Sequence, residues 1–106
     1  MPSTKEYLEY ILDQLSSLDE ISCKPMMGEY ILYHRGKIFG GIYDDRFLVK
    51  NVSSARVLMP DAGFESPYEG AKEMLLVDNS DDREFLAKLV SAMYKELPET
   101  KKRVKQ

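Results

Sequence analysis

Three apolar runs separated by tight turn signals occupy the middle of the chain, and they leave it few ways to fold. Tyr30 to Tyr33 is the first run, Ile38 to Tyr43 the second and Phe47 to Val49 the third. His34-Arg35-Gly36-Lys37 reads as a turn between the first two, with Gly36 free to take a positive φ, and Asp44-Asp45 makes a two-residue turn before the third. Aromatic and β-branched residues dominate the runs, as a pleated and largely buried surface requires. The pattern predicts an antiparallel meander at the centre of a small domain. Simple alternation in the second strand puts Ile38, Gly40 and Ile42 on one face and Phe39, Gly41 and Tyr43 on the other. Two successive glycines inside a strand predict a bulge there, or a helix packed close to the backbone.

Helical spacing brackets this meander. Tyr7, Leu8, Ile11, Leu12, Leu15 and Leu18 share one face of a helix expected over about Thr4 to Leu18, with Ser3 or Thr4 as N-cap. Phe85, Leu86, Leu89, Val90, Met93, Tyr94 and Leu97 form a wide apolar stripe on a last helix that starts near Asp81, where Asp81-x-x-Glu84 resembles a capping box, and stops at Pro98. Ile21 to Met27 is a candidate first strand, with Pro25 marking it as an edge. Ser53 or Ser54 can cap a short helix over Ala55 to Met59, and Lys72 to Val77 alternates as a further strand. The order is helix, three or four strands, short helix, one or two strands, helix. It predicts an α+β two-layer sandwich, with the terminal helices on one sheet face and the other face polar or covered by a partner.

The chain has 106 residues, enough for one domain with a core that needs no metal or disulfide. That domain is expected over residues 1–98, followed by a basic, solvated tail over 99–106. A single cysteine, Cys23, rules out an internal disulfide and reads as a small buried hydrophobe. No apolar run is long enough for a membrane span and the N-terminus lacks the layout of a signal peptide, so a cytoplasmic location is expected. The net charge is −3, yet Lys101, Lys102, Arg103 and Lys105 crowd the C-terminus, so the body is more acidic than the whole. An acidic body repels phosphates, and only the tail is expected to touch nucleic acid, weakly and without sequence preference.

The residues that usually carry chemistry are sparse. His34, the one histidine, is placed by the turn reading at a solvated tip, where it should tolerate alanine. No Cys/His cluster has metal-ligand spacing, and the acidic pairs Asp44-Asp45 and Asp81-Asp82 read as turn and cap residues. Gly40-Gly41 is followed by neither a helix start nor Gly-Lys-Ser/Thr, so it is no phosphate loop. No catalytic residue, metal or cofactor is therefore expected. The methionines and tyrosines are more suggestive. Met26-Met27 beside Gly28 suits an adaptable contact surface, and Tyr30, Tyr33 and Tyr43 are expected on the open face of the meander.

Lys24-x-Met26-Met27-Gly28, Tyr33-x-x-Gly36-x-x-Phe39-Gly40 and the later Lys50 resemble the TfoX N-terminal domain family. Met27 stands where that family commonly has phenylalanine. The resemblance runs through the short helix, Pro67-Tyr68 and the last helix, leaving out the basic tail. It implies an α+β fold related to secretion-chaperone-like folds, and a bacterial protein linked by homology to regulators of natural competence. Longer members carry a separate helical C-terminal domain, whereas this sequence ends in Lys101 to Gln106. The family supplies no catalytic residues to carry over.

Together these readings point to a non-enzymatic domain that works by binding another protein, or a second copy of itself, in transcriptional control. Lys24, Met26, Met27, Gly28, Tyr33 and Lys50 are the candidate contact residues. The rival reading is an enzyme or small-ligand-binding protein with a pocket between sheet and helices, built on Gly40-Gly41, Lys24 and Lys50. A third is a weak DNA-associated factor using the tail.

Overall fold

The computed structural model describes residues 4–67, 69–78 and 80–97. Helix α1, Lys5–Gln14, is capped by the Thr4 hydroxyl, which accepts the Tyr7 N–H. The Thr4 N–H in turn donates to the Asp45 carboxylate at 2.8 Å, tying the helix start to a turn of the sheet. The helix ends sooner than its apolar spacing predicts, and Leu15 and Leu18 follow in tight turns.

Four strands follow in a meander: β1 (Ile21–Met26), β2 (Glu29–His34), β3 (Lys37–Tyr43) and β4 (Arg46–Val49). Each neighbouring pair is antiparallel and joined by a two-residue turn. Met27-Gly28, Arg35-Gly36 and Asp44-Asp45 all take positive φ at both positions, the backbone whose twist matches that of the flanking strands. Helix α2 (Ser53–Leu58), strands β5 (Phe64–Glu65) and β6 (Met74–Leu76), and helix α3 (Arg83–Tyr94) complete the described chain. The sheet has six strands in the order β1-β2-β3-β4-β6-β5. The α+β class and the element order are those expected, with four strands before the short helix and two after it.

One face of the sheet carries the helices. Leu8, Ile11 and Leu15 from the α1 region, Ala55 from α2, and Leu86, Leu89, Val90 and Met93 from α3 form one buried cluster with Leu32, Phe39, Ile42, Phe47, Val49 and Leu75. Phe39 and Phe47 meet edge to face at its centre, 6.4 Å between ring centroids. Glu96, just past α3, fixes α2. Its carboxylate accepts from both the Ser53 and Ser54 hydroxyls and from the Ser54 N–H at 3.0 Å, and these bonds hold its pKa below the usual carboxylate value. The serines were expected to cap α2 themselves; Val52 stands at the N-cap and the distant carboxylate supplies the acceptor. At α3, Asp82 rather than Asp81 accepts the capping N–H, from Phe85 at 3.1 Å. Pro98 and the basic tail lie outside the described residues.

Three expectations need correction. First, β3 does not alternate strictly. Leu32 pairs with Gly40 but Tyr33 pairs with Ile38, so the register shifts there and Phe39 is the extra residue of a bulge. Phe39 thereby joins Ile42 on the helix side, and Ile38 turns to the open side. Second, Tyr30 packs against the helix-side cluster instead of standing on the open face.

Third, His34 is not at a turn tip. It is the last residue of β2, only 5% exposed, with its ring edge-on to Tyr94 at 5.3 Å. Its Nδ1 lies 3.0 Å from the Asp19 carbonyl, and since a carbonyl only accepts, Nδ1 carries the proton. His34→Ala should therefore cost about 1–3 kcal/mol, the range for stranding a buried polar partner and opening a void. Urea unfolding would measure it; a change of under ~0.5 kcal/mol would restore the surface reading.

Candidate functional site

The face without helices follows from the strand registers. Ser22, Lys24 and Met26 of β1 lie across from Tyr33, Ile31 and Glu29 of β2. The row continues from Ile31 to Gly41, Leu48 and Leu76. Tyr33 leads to Ile38 on β3, and Tyr43 to Arg46 on β4. Gly41 leaves a dip in this surface that the Tyr43 ring fills: an added Cβ would stand 2.7 Å from Tyr43 Cε2. Tyr43 and Leu48 are buried here although neither belongs to the helix-side cluster.

The two ends of the face differ. At the β1–β2 end Met26, Ile31, Tyr33 and Ile38 are half-buried and Lys24 is exposed. Met27, held in a left-handed conformation by its turn, is 96% exposed beside Gly28. At the other end a cavity of about 390 Å³ opens between β3, the end of β4 and the segment leading into β6. Ile38, Tyr43 and Lys50 line it from the sheet, and Pro67, Ala71 and Met74 from that segment. Arg46 of β4 pairs with Glu65 of β5, and neither lines the cavity.

Five of the six candidate contact residues, Lys24, Met26, Met27, Gly28 and Tyr33, thus come together on one hairpin. Lys50 stands apart, following β4 and lining a cavity with Ile38, the residue across from Tyr33. The rival pocket is corrected in place and membership. It opens on the face away from the helices, it takes in Gly40 and Lys50, and neither Gly41 nor Lys24 lines it. Ala71 and Met74 were invisible as site residues, because only the return of the chain beside β4 brings them there.

Burial pushes the Lys50 ammonium below the usual lysine pKa, and desolvation is the whole cause. An amine whose folded pKa lies below its unfolded value is penalised while both states are protonated. That penalty is relieved as pH rises through the folded pKa toward the ordinary value of about 10.4. Lys50→Met should therefore raise the thermal midpoint at neutral pH and flatten the rise in stability on the alkaline side. Parallel melts of parent and variant across that range would show it; identical slopes would mean the amine is fully solvated.

Among the described residues no group of His, Cys, Asp and Glu is placed to hold a metal ion, and no helix is long and apolar enough to cross a membrane. The lone thiol, Cys23, is half-buried against the helix-side cluster.

A four-stranded meander extended by two short strands, with three helices on one face, defines a small α+β domain with an open sheet surface. The TfoX N-terminal domain matches residues 13–97, and the chain belongs to that family. It is similar to the "Uncharacterized 12.7 kDa protein in trpE 5'region" of Spirochaeta aurantia, 29% identical over 79 residues that cover 74% of this chain and 69% of that protein. No solved structure matches the chain significantly.

Proposed function

We propose that this TfoX-type domain is a non-enzymatic protein-binding module, acting in transcriptional control through the open face of its β1–β2 hairpin. The observation that carries this reading is the surface itself. Met26, Ile31, Tyr33 and Ile38 are half-buried apolar side chains on neighbouring strands of the face away from the three described helices, and Met27 projects beside them almost fully exposed. Side chains of this kind, flexible methionines around amphipathic aromatics, are those enriched at protein interfaces. Lys24 and Glu29 flank the patch with one charge of each sign, which suits a polar rim.

The partner is another protein or a second copy of this chain, and two measurements separate them. Light scattering on the purified chain reads self-association. Affinity capture from native lysate, with parent and a Met27→Asp/Tyr33→Asp variant side by side, reads a foreign partner. A charged patch should abolish whichever complex forms, because it buries two carboxylates against an apolar surface. A monomer that captures nothing specific, or a complex indifferent to the double variant, would sink the proposal.

DNA binding by this chain should be weak and indifferent to sequence. With at most four phosphate contacts from the tail, the salt dependence should have a slope of about −3 to −4. A salt titration of the full chain against one ending at Thr100 measures it. Tight or sequence-selective binding that survives the shortening would favour the DNA-associated reading instead.

A further inference from the structure

We propose that the cavity beside Lys50 binds a small organic carboxylate, with the Lys50 ammonium as its charge partner and the apolar walls receiving the hydrocarbon body. This site is distinct from the Met27 hairpin, and its test needs no protein partner.

At about 390 Å³ the cavity falls in the ~300–1,000 Å³ range of small-molecule sites. Its charge points the same way. The ion pairs of the described residues are Arg35–Asp19, Arg46–Glu65 and Arg83–Asp13, and Lys50 belongs to none of them. Its backbone is engaged, the N–H donating to Phe39 O at 2.9 Å and the carbonyl accepting from Val52. Among the described residues no carboxylate pairs with its ammonium, so the cation is partly withdrawn from water without a counter-charge from them. Such a placement costs stability unless a counter-charge is supplied. The other charged groups at the cavity, Lys72 and Glu73, are both exposed at its rim and of opposite sign. The interior charge is therefore that of Lys50.

The walls select the class of anion. Ile38, Tyr43, Pro67, Ala71 and Met74 make most of the wall apolar. A phosphate brings more negative charge and several acceptor oxygens, which ask for a fork of donors or a run of backbone N–H groups. Among the described residues no arginine lines this cavity, the sheet side offers one ammonium, and the Oδ1 of Asn51, which also lines it, already accepts from Arg56. A monovalent carboxylate on an aromatic or aliphatic body matches one cation and an apolar wall.

The test is a titration of the full chain, followed by amide NMR shifts and calorimetry, with benzoate, hexanoate, benzamide and inorganic phosphate as probes. Benzoate or hexanoate should bind saturably and shift the amides of Ile38, Lys50 and Met74, leaving Met27 and Gly28 unmoved. Benzamide, which lacks the charge, should bind about tenfold more weakly or worse, the loss expected for a charged hydrogen bond. Lys50→Met should lose carboxylate binding by a similar factor while melting no lower than the parent, and Lys50→Arg should retain it. The parent titrations decide the matter even if a variant folds poorly. No saturation by either carboxylate at about 20 mM, well above a millimolar Kd, would overturn the proposal. So would phosphate binding as tightly as benzoate, benzamide matching benzoate, or a folded Lys50→Met that binds benzoate unchanged. Loss of protein capture by the Met27→Asp/Tyr33→Asp variant with carboxylate binding intact, or the reverse, would separate the two proposals.

Discussion

Gly40→Ala should cost about 3 kcal/mol or more, the upper range for forcing added volume into a packed interior. A Cβ at this position would be driven into the Leu48 carbonyl oxygen and stand 2.9 Å from Val49 Cα. Both obstacles are backbone of the neighbouring strand, so no change of rotamer relieves them. The β3–β4 pair would have to separate where Gly40 faces Val49, and that pair anchors Phe47 and Val49 in the core. Gly63, where an added Cβ meets nothing within 4 Å, is the control and should tolerate alanine to within ~0.5 kcal/mol. Denaturant unfolding of both variants reads the difference. A Gly40→Ala chain within about 1 kcal/mol of the parent would mean the strands can part locally, and that this glycine marks a soft point in the sheet.

The meander was legible because its turns are chemically explicit. Gly36 and the Asp44-Asp45 pair tolerate the positive φ that two-residue hairpins demand, and each lies between apolar runs. Met27-Gly28 uses the same backbone, yet a methionine at positive φ carries no turn signal, so nothing in the sequence but Gly28 marks this third hairpin. The two long helices were legible from their apolar stripes, and the start of α1 from its Thr4 cap, while the early stop of α1 was not. The Glu96 carboxylate at the N-terminus of α2 comes from more than 40 positions away in the chain, and no local pattern encodes such a cap. His34 failed for the opposite reason. Local turn chemistry pointed to a solvated tip, whereas the hairpin closes one residue later and tertiary contacts from Asp19 and Tyr94 bury the ring. Of the candidate site, the hairpin cluster could be read from adjacency in sequence. The surroundings of Lys50 could not, since they depend on Met74 and Ala71 returning beside strands that precede them.

The bulge in β3 decides which of two adjacent side chains holds the domain together, and it can be tested directly. Unbroken alternation assigns Ile38 to the face of Ile42, and Phe39 to the face of Gly41 and Tyr43. The observed register reverses this, placing Phe39 fully buried against Phe47 and leaving Ile38 half-buried on the open surface. Phe39→Ala should therefore cost about 3–5 kcal/mol, because it removes an aromatic ring from beneath the helices and leaves a void that α3 and β4 cannot close. Ile38→Ala should cost less than about 1.5 kcal/mol, since a half-buried isoleucine surrenders only part of its transfer free energy. Chemical denaturation of the two single variants gives the ratio. A larger loss at Ile38 than at Phe39 would restore strict alternation and turn the Ile38 side of β3 toward the helices. It would also remove the link that Ile38 makes between the Tyr33 patch and the Lys50 cavity, so both proposed surfaces depend on this one unpaired residue.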